Sequence, residues 1–327
     1  MDAGRFDGLC ALMNEMPRTI SGKFQDPHLT VKGEKRAWIM PHTLETLWIN
    51  TGTLCNLACA NCYIESTPTN DALEYISTSE VADLLDEAER EHLGLKEVGF
   101  TGGEPFMNPD FIPMLGDALS RGHNALVLTN AMRPMQRPGP AEALLALQAL
   151  YSARLTIRVS MDHYTRKVHE EERGPESWAP MIDGLIWLNR NGFQLSIAGR
   201  MLSGETEEDE RTGYAKLFAE LDLDLDATNP NDLVIFPEMD ESTDIAEITT
   251  GCWKTLNKSP RDVMCSNARM AVKRKGASAP AILACTLIAY DERFELGPNL
   301  KGSMKPVSLN HPHCSRFCVL GGASCSS

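Results

Sequence analysis

The sequence contains no run of eighteen apolar residues, so nothing in it is long enough to cross a membrane as a helix. Its first residues, MDAGRFDGLCALMNEMPR, carry acids and lack the basic start and apolar stretch of a secretion signal. An excess of cations is missing too. There are 31 Lys and Arg against 45 Asp and Glu, a net charge of −14, which argues against a nucleic-acid track built from clustered bases. The two basic knots, 273–275 and 301–305, are short. Repeats and low-complexity tracts are absent, and no cysteine occurs between Cys62 and Cys252. The expectation is a cytoplasmic globular protein that binds neither membrane nor nucleic acid, and 43% hydrophobic with 23% charged residues is ordinary for that class.

What the chain does have is 327 residues, enough for a barrel-sized core and an appendix, and ten cysteines. In a reducing compartment such a count points to metal binding or catalysis rather than disulfides. Cys55, Cys59 and Cys62 cluster early, while Cys252, Cys265, Cys285, Cys314, Cys318 and Cys325 crowd the last quarter. Cys10, in an apolar stretch with Leu9, Leu12 and Met13, reads as a buried thiol.

Between the two cysteine groups, strand and helix signals alternate. Strands are predicted over 45–50 (ETLWIN), 97–101 (EVGFT), 124–129 (NALVLT), 154–160 (RLTIRVS), 194–200 and 232–236. Helices are predicted over 77–91, 141–151, 177–191 and 207–221. The first opens with a Ser77/Glu80 capping box and puts Val81, Leu84, Leu85 and Ala88 on one face. Asn108 is predicted to cap a further helix with Pro109 in its first turn, closing near Gly122. Strands joined through helices imply a parallel sheet, closed as a partial barrel or open as a doubly wound one. After Pro237 the alternation stops. The tail is rich in Gly, Pro, Ser and Cys, with only short apolar runs such as 281–290, and is expected to need metal as a staple. Three segments result: an N-terminal extension over 1–44, a barrel over 45–240 and a cysteine-rich domain over 241–327.

The stretch LCNLACANCY, 54–63, places three thiols in C-x3-C-x2-C spacing after the first barrel strand. Thiolates suit iron–sulfur clusters and zinc, but structural zinc wants four ligands. Three thiolates on a four-iron cluster leave one iron open. Zinc with a distant fourth ligand and unrelated buried thiols are the alternatives. Further along, Thr101-Gly102-Gly103-Glu104-Pro105 ends the second strand, Thr129-Asn130 the third and Ser160-Met161-Asp162 the fourth, with His169 and Arg173 following in H-x3-R spacing.

Together these motifs resemble the radical S-adenosylmethionine (SAM) superfamily over about residues 45–240. The resemblance implies a partial (β/α)6 TIM-like barrel whose motifs gather at the C-terminal strand ends. It implies a [4Fe–4S] cluster on Cys55, Cys59 and Cys62, with SAM chelating the open iron. Reductive cleavage of SAM to a 5′-deoxyadenosyl radical would then remove hydrogen from substrate. By the same likeness Gly102, Gly103 and Glu104 resemble the GGEP motif that grips the methionyl ammonium, and Asn130 belongs to a T-N-G motif in which Ala131 replaces the glycine. Ser160 would touch the ribose or carboxylate. Arg173, with Arg200 as the weaker candidate, would clamp the carboxylate. The aromatic residue often found before the third cysteine is Asn61 here, and Tyr63 is expected to pack near adenine instead.

The tail resembles, in part, the twitch or SPASM auxiliary-cluster domain. That likeness implies an auxiliary [4Fe–4S] cluster on Cys265, Cys285, Cys314 and Cys318, with Cys252 and Cys325 spare and zinc the alternative. The leading expectation is a radical SAM oxidoreductase acting on a small-molecule substrate, fed by a flavodoxin or ferredoxin-type electron donor, its auxiliary cluster assisting redox or substrate binding. The alternatives are a maturase of a ribosomally made peptide and a non-catalytic iron–sulfur electron carrier. A carrier has no need of motifs that grip SAM. A maturase commonly has an N-terminal recognition domain, for which 44 residues are too few unless a separate partner supplies it.

Overall fold

The computed structural model describes residues 22–202, 204–239 and 244–323; Cys10, Cys325 and part of the loop after Pro237 lie outside them. The described residues contain eleven short strands: β1 (Trp38–Ile39), β2 (Thr46–Asn50), β3 (Glu97–Thr101), β4 (Asn124–Thr129), β5 (Leu155–Asp162), β6 (Gln194–Arg200), β7 (Leu233–Phe236), β8 (Ala268–Val272), β9 (Ala281–Leu283), β10 (Glu295–Gly297) and β11 (Val307–Ser308). Nine form one sheet in the order β10-β9-β8-β2-β3-β4-β5-β6-β7. From β8 through β7 every pairing is parallel, and each of the six predicted strands lies where its apolar run falls. From β2 to β7 neighbours are consecutive strands linked through helices, which is the course of a partial (β/α)6 TIM-like barrel.

Side chains alternate across the sheet with a period of two. Leu47, Ile49, Ala125, Val127 and Ile197 pack outward into a core shared with the helices. Trp48, Leu126, Ala198 and Met270 point the other way into a second core. The helix Thr78–Arg90 carries the predicted capping box at Ser77 and buries Val81, Leu84, Leu85 and Ala88. None of the described helices is long and apolar enough to cross a membrane.

Three local expectations are corrected. Asn108 does not cap a helix. It ends a 3-10 turn, its amide nitrogen donates to the carbonyls of Thr51 (3.0 Å) and Ile76 (2.9 Å), and the helix begins at Phe111. A buried amide that joins two loops outweighs the local capping preference. The helix Arg166–Arg173, unpredicted because its charged sequence has little apolar periodicity, places His169 and Arg173 four residues apart on one face. The tail is also less irregular than its composition suggests. Strand β8 is fully buried and extends the barrel sheet beside β2. Arg269 broke its apolar run in the sequence; the guanidinium is buried and donates to the carbonyls of Cys265 (2.7 Å) and Ser303 (3.1 Å).

The tail therefore has a substantial core. Val263, Met264, Leu283, Leu287, Phe294, Phe317 and Val319 cover the inward face of the sheet. Residues 22–44 pack on this region: β1 pairs with β11, and the buried Arg36 guanidinium meets Glu247 at 2.5 Å.

Candidate active site

The cysteine loop leaves β2 at Asn50 and is shaped by backbone contacts. Cys55 N donates to Thr67 O (3.1 Å), and Ala60 N to Glu172 O (2.8 Å). The turn after β3 lies directly against it: Gly103 N donates to Gly52 O (2.7 Å) and Glu104 N to Leu54 O (3.2 Å). A Cβ on Gly103 would stand 2.2 Å from Leu54 O, and Gly102 holds φ +142°. Only glycine permits this approach and this backbone. The GGEP turn thus sets the path of the cysteine loop.

Burial pushes the Cys55 thiol up to about 12 and raises Cys59 as well, the latter opposed by the Arg173 guanidinium. Desolvated thiols give up their protons to a metal far more readily than to water. Three thiols on one loop, with the Arg173 guanidinium beside Cys59, are a soft donor set of the kind an iron–sulfur cluster uses.

Glu104 is wholly buried and bridges two strand ends. Its carboxylate accepts from Thr129 Oγ1 (2.8 Å), Asn130 N (2.9 Å) and Phe106 N (3.3 Å), while burial raises its pKa to about 7. Asn130 donates in turn to Asn56 Oδ1 (2.9 Å) within the cysteine loop. Ala131 holds φ +55°, the left-handed backbone for which glycine is favoured.

Cys55, Cys59 and Cys62 border one cavity of about 160 Å³ with Tyr63, Gly102, Gly103, Asn130, Ser160, Arg173 and Arg200. Of the predicted cofactor contacts, only Glu104 stands behind this lining. The two arginines already have partners. Arg173 Nε lies 2.6 Å from Asp162 Oδ2 in a largely buried pair, and Asp162 sits at φ +58° where β5 bulges. Arg200 Nη1 donates to Glu172 (3.0 Å) and Asn61 O (3.0 Å), with its guanidinium 4.9 Å from the centre of the Tyr63 ring. Glu172 also accepts from Asn61 N (2.9 Å) and Asn61 Nδ2 (2.8 Å). Sequence reading missed Glu172, which looked like one acid in a solvated run; the signal was Asn61, whose amide needs a partner at that point in the loop. His169 is buried and neutral, its pKa lowered to about 4 by desolvation, and its Nδ1 donates to Met161 O.

In the tail, Cys265, Cys314 and Cys318 are buried within the second core, with Cys285 and Cys252 at its margin. Burial and the nearby Cys285 and Cys265 raise the Cys314 thiol well above its usual range, so these three form one neighbourhood. Cys314 and Cys318 lie on one turn of the helical segment Cys314–Leu320. The Cys252 sulfur accepts from Thr249 N (3.4 Å) and lies 3.5 Å from Thr249 Oγ1. Between the two cysteine groups lies a second, apolar chamber of about 150 Å³, walled by Trp48, Tyr63, Leu128, Phe236, Leu287 and Phe317. It shares Cys62, Tyr63, Thr101, Gly102, Leu128 and Phe236 with the first cavity.

Comparison with known proteins agrees with this geometry. The family profile described as Radical SAM superfamily matches residues 49–213. Mycofactocin maturase MftC of Mycobacterium ulcerans (strain Agy99) is 32% identical over 139 residues, 42% of this chain and 35% of that protein. The antilisterial bacteriocin subtilosin biosynthesis protein AlbA of Bacillus subtilis (strain 168) is 28% identical over 148 residues, 44% of this chain and 30% of that one. The alignments span about a third of each of these relatives. Among solved structures, Streptococcus suis SuiB bound to S-adenosylmethionine has a TM-score of 0.56 at 15% identity, covering 78% of this chain and 63% of that chain, a likeness of fold.

Proposed function

Since the chain belongs to the radical SAM superfamily, whose members use a [4Fe–4S] cluster and SAM, we propose that it is a maturase acting on an amino-acid side chain of a ribosomally made peptide. The small-molecule substrate that led the sequence reading gives way to its alternative, because curated relatives are named as a maturase and a bacteriocin biosynthesis protein. The observation that carries the proposal is the apolar chamber. It opens from the cysteine-lined cavity, lacks any charged wall, and is closed by Leu287 and Phe317 of the tail. A highly charged metabolite would lose most of its hydration there with only the hydroxyls of Tyr63, Thr101 and Thr286 to replace it, whereas an aliphatic or aromatic side chain is favoured by the apolar walls.

A [4Fe–4S] cluster held by Cys55, Cys59 and Cys62 would supply the reducing power for SAM cleavage beside this chamber. The protein's own groups divide the remaining work. Cys55, Cys59 and Cys62 hold the cluster, and the Gly102–Gly103 backbone lines the place of the methionyl group. Glu104 fixes Asn130 and contributes negative charge toward the ammonium. Asp162 would hold Arg173 in place for the SAM carboxylate, Ser160 would touch the ribose or carboxylate, and Glu172, by fixing Asn61 and Arg200, would hold Tyr63 for adenine. The chamber's walls exclude water. Cys265, Cys285, Cys314 and Cys318 hold an auxiliary cluster, and a flavodoxin or ferredoxin-type protein supplies electrons.

The test is anaerobic incubation of the reconstituted protein with SAM, dithionite and short peptides encoded beside its gene. A cognate peptide should accelerate 5′-deoxyadenosine formation and change in mass. Acceleration by a small metabolite, with every peptide inert, would overturn the proposal.

A further inference from the structure

One residue beyond Asp162, a separate group of ligating side chains converges without serving the cavity just described. His163 follows the end of β5, Glu205 lies in the loop after β6, and Glu210 is on the helix Glu207–Glu220. One ligand atom from each lies within 4.8 Å of the other two. His163 is 1% exposed and Glu210 0%. Neither carboxylate oxygen of Glu210, nor His163 Nε2, has a hydrogen-bond partner among the described residues. Glu205 Oε2 is 3.8 Å from His163 Nε2.

A buried carboxylate with no hydrogen-bond donor is costly, and a bound ion is one of the few things that repays it. Here the neighbours make it worse: burial, then the charges of Glu205 and Glu207, push Glu210 up to about 7. The surroundings are built rather than incidental. The Tyr164 hydroxyl donates to both oxygens of Glu205 (3.1 and 3.0 Å), and its ring stacks on His163 at 4.2 Å. Gly213 brings the helix so near that a Cβ there would stand 2.4 Å from the Tyr164 ring.

We propose that His163, Glu205 and Glu210 form a binding site for one divalent metal ion, distinct from both cysteine sites. One imidazole and two carboxylates suit a borderline-to-hard first-row cation such as Mn²⁺ or Fe²⁺. Coordination through Nε2 requires the proton on Nδ1, where Thr165 Oγ1 lies 2.9 Å away to accept it, in exchange for the present contact from Thr165 N (3.0 Å). The ion would tie the loop after β6 to the strand end that carries Asp162.

Mn²⁺ titration of the anaerobically reconstituted protein, followed by EPR of the free ion and by thermal denaturation, tests the site. Wild type should bind one equivalent and gain thermal stability. Glu210→Gln and Glu205→Gln should each lose at least about tenfold in Mn²⁺ affinity. In the absence of Mn²⁺ at pH 8, Glu210→Gln should melt no lower than wild type, because it removes an uncompensated buried charge; Glu205→Gln, at a partly exposed position, carries the affinity test if the first variant misfolds. No uptake by wild type at millimolar Mn²⁺, or uptake that neither folded variant weakens, would overturn the assignment. Both cysteine sites stay loaded throughout, so the outcome is independent of the proposed reaction.

Discussion

Arg173 is proposed to serve SAM and is seen to serve Asp162. As a clamp for the SAM carboxylate alone, it could be removed with little harm to the fold. Its ion pair with Asp162, largely withdrawn from water, changes that expectation. Arg173→Ala leaves Asp162 buried without a counter-charge and should cost about 3 kcal/mol of stability, measured by anaerobic denaturant unfolding, besides weakening SAM binding. Adding Asp162→Asn should restore most of the stability and none of the SAM affinity. If the second change also restores binding, Arg173 acts on SAM only through Asp162. The pairing was not legible in the sequence. Eleven residues separate the two, and the nearby run Glu170–Glu172 offered more obvious partners. The same run hid Glu172, whose role rests on a contact with Asn61 across 111 positions.

At the scale of elements, strands were the most legible because burial on both faces leaves near-continuous apolar runs. The capping box at Ser77 was readable for a local reason: both its partners lie within three residues. Asn108, β8 and the helix Arg166–Arg173 were hidden because their determinants are tertiary: two distant carbonyls, a buried guanidinium, and His169 docked under Met161. That helix gives a pH prediction. His169 in the folded protein has its pKa lowered to about 4, so the unfolded chain takes up the proton first. The stabilising contribution is complete above pH 6.5 and declines as pH falls. Unfolding free energy from anaerobic urea titrations should drop by about 2 kcal/mol between pH 6.5 and 5 from this group. His169→Gln should flatten that part of the profile, and an unchanged slope would show that the ring protonates freely in the fold.

Across the whole molecule, the tail and the barrel share a sheet and a core, so the tail cysteines sit in a scaffold held by apolar packing. A staple was expected because short, Gly- and Pro-rich stretches conceal apolar residues that converge only in three dimensions. Cys314→Ala with Cys318→Ala should therefore leave the protein folded, remove roughly half the bound iron, and preserve SAM cleavage while abolishing peptide modification. A tail that unfolds, judged by proteolysis with the first cluster's spectrum intact, would show that metal supplies what its core does not. The most direct test is what the cysteine loop does to SAM. Protein reconstituted anaerobically, its cluster shown by EPR to be reduced, is incubated with SAM and the products separated by chromatography and mass spectrometry. Wild type is predicted to yield 5′-deoxyadenosine and methionine, and the Cys55→Ala, Cys59→Ala, Cys62→Ala variant neither; intact SAM in the presence of the reduced wild-type cluster would contradict it.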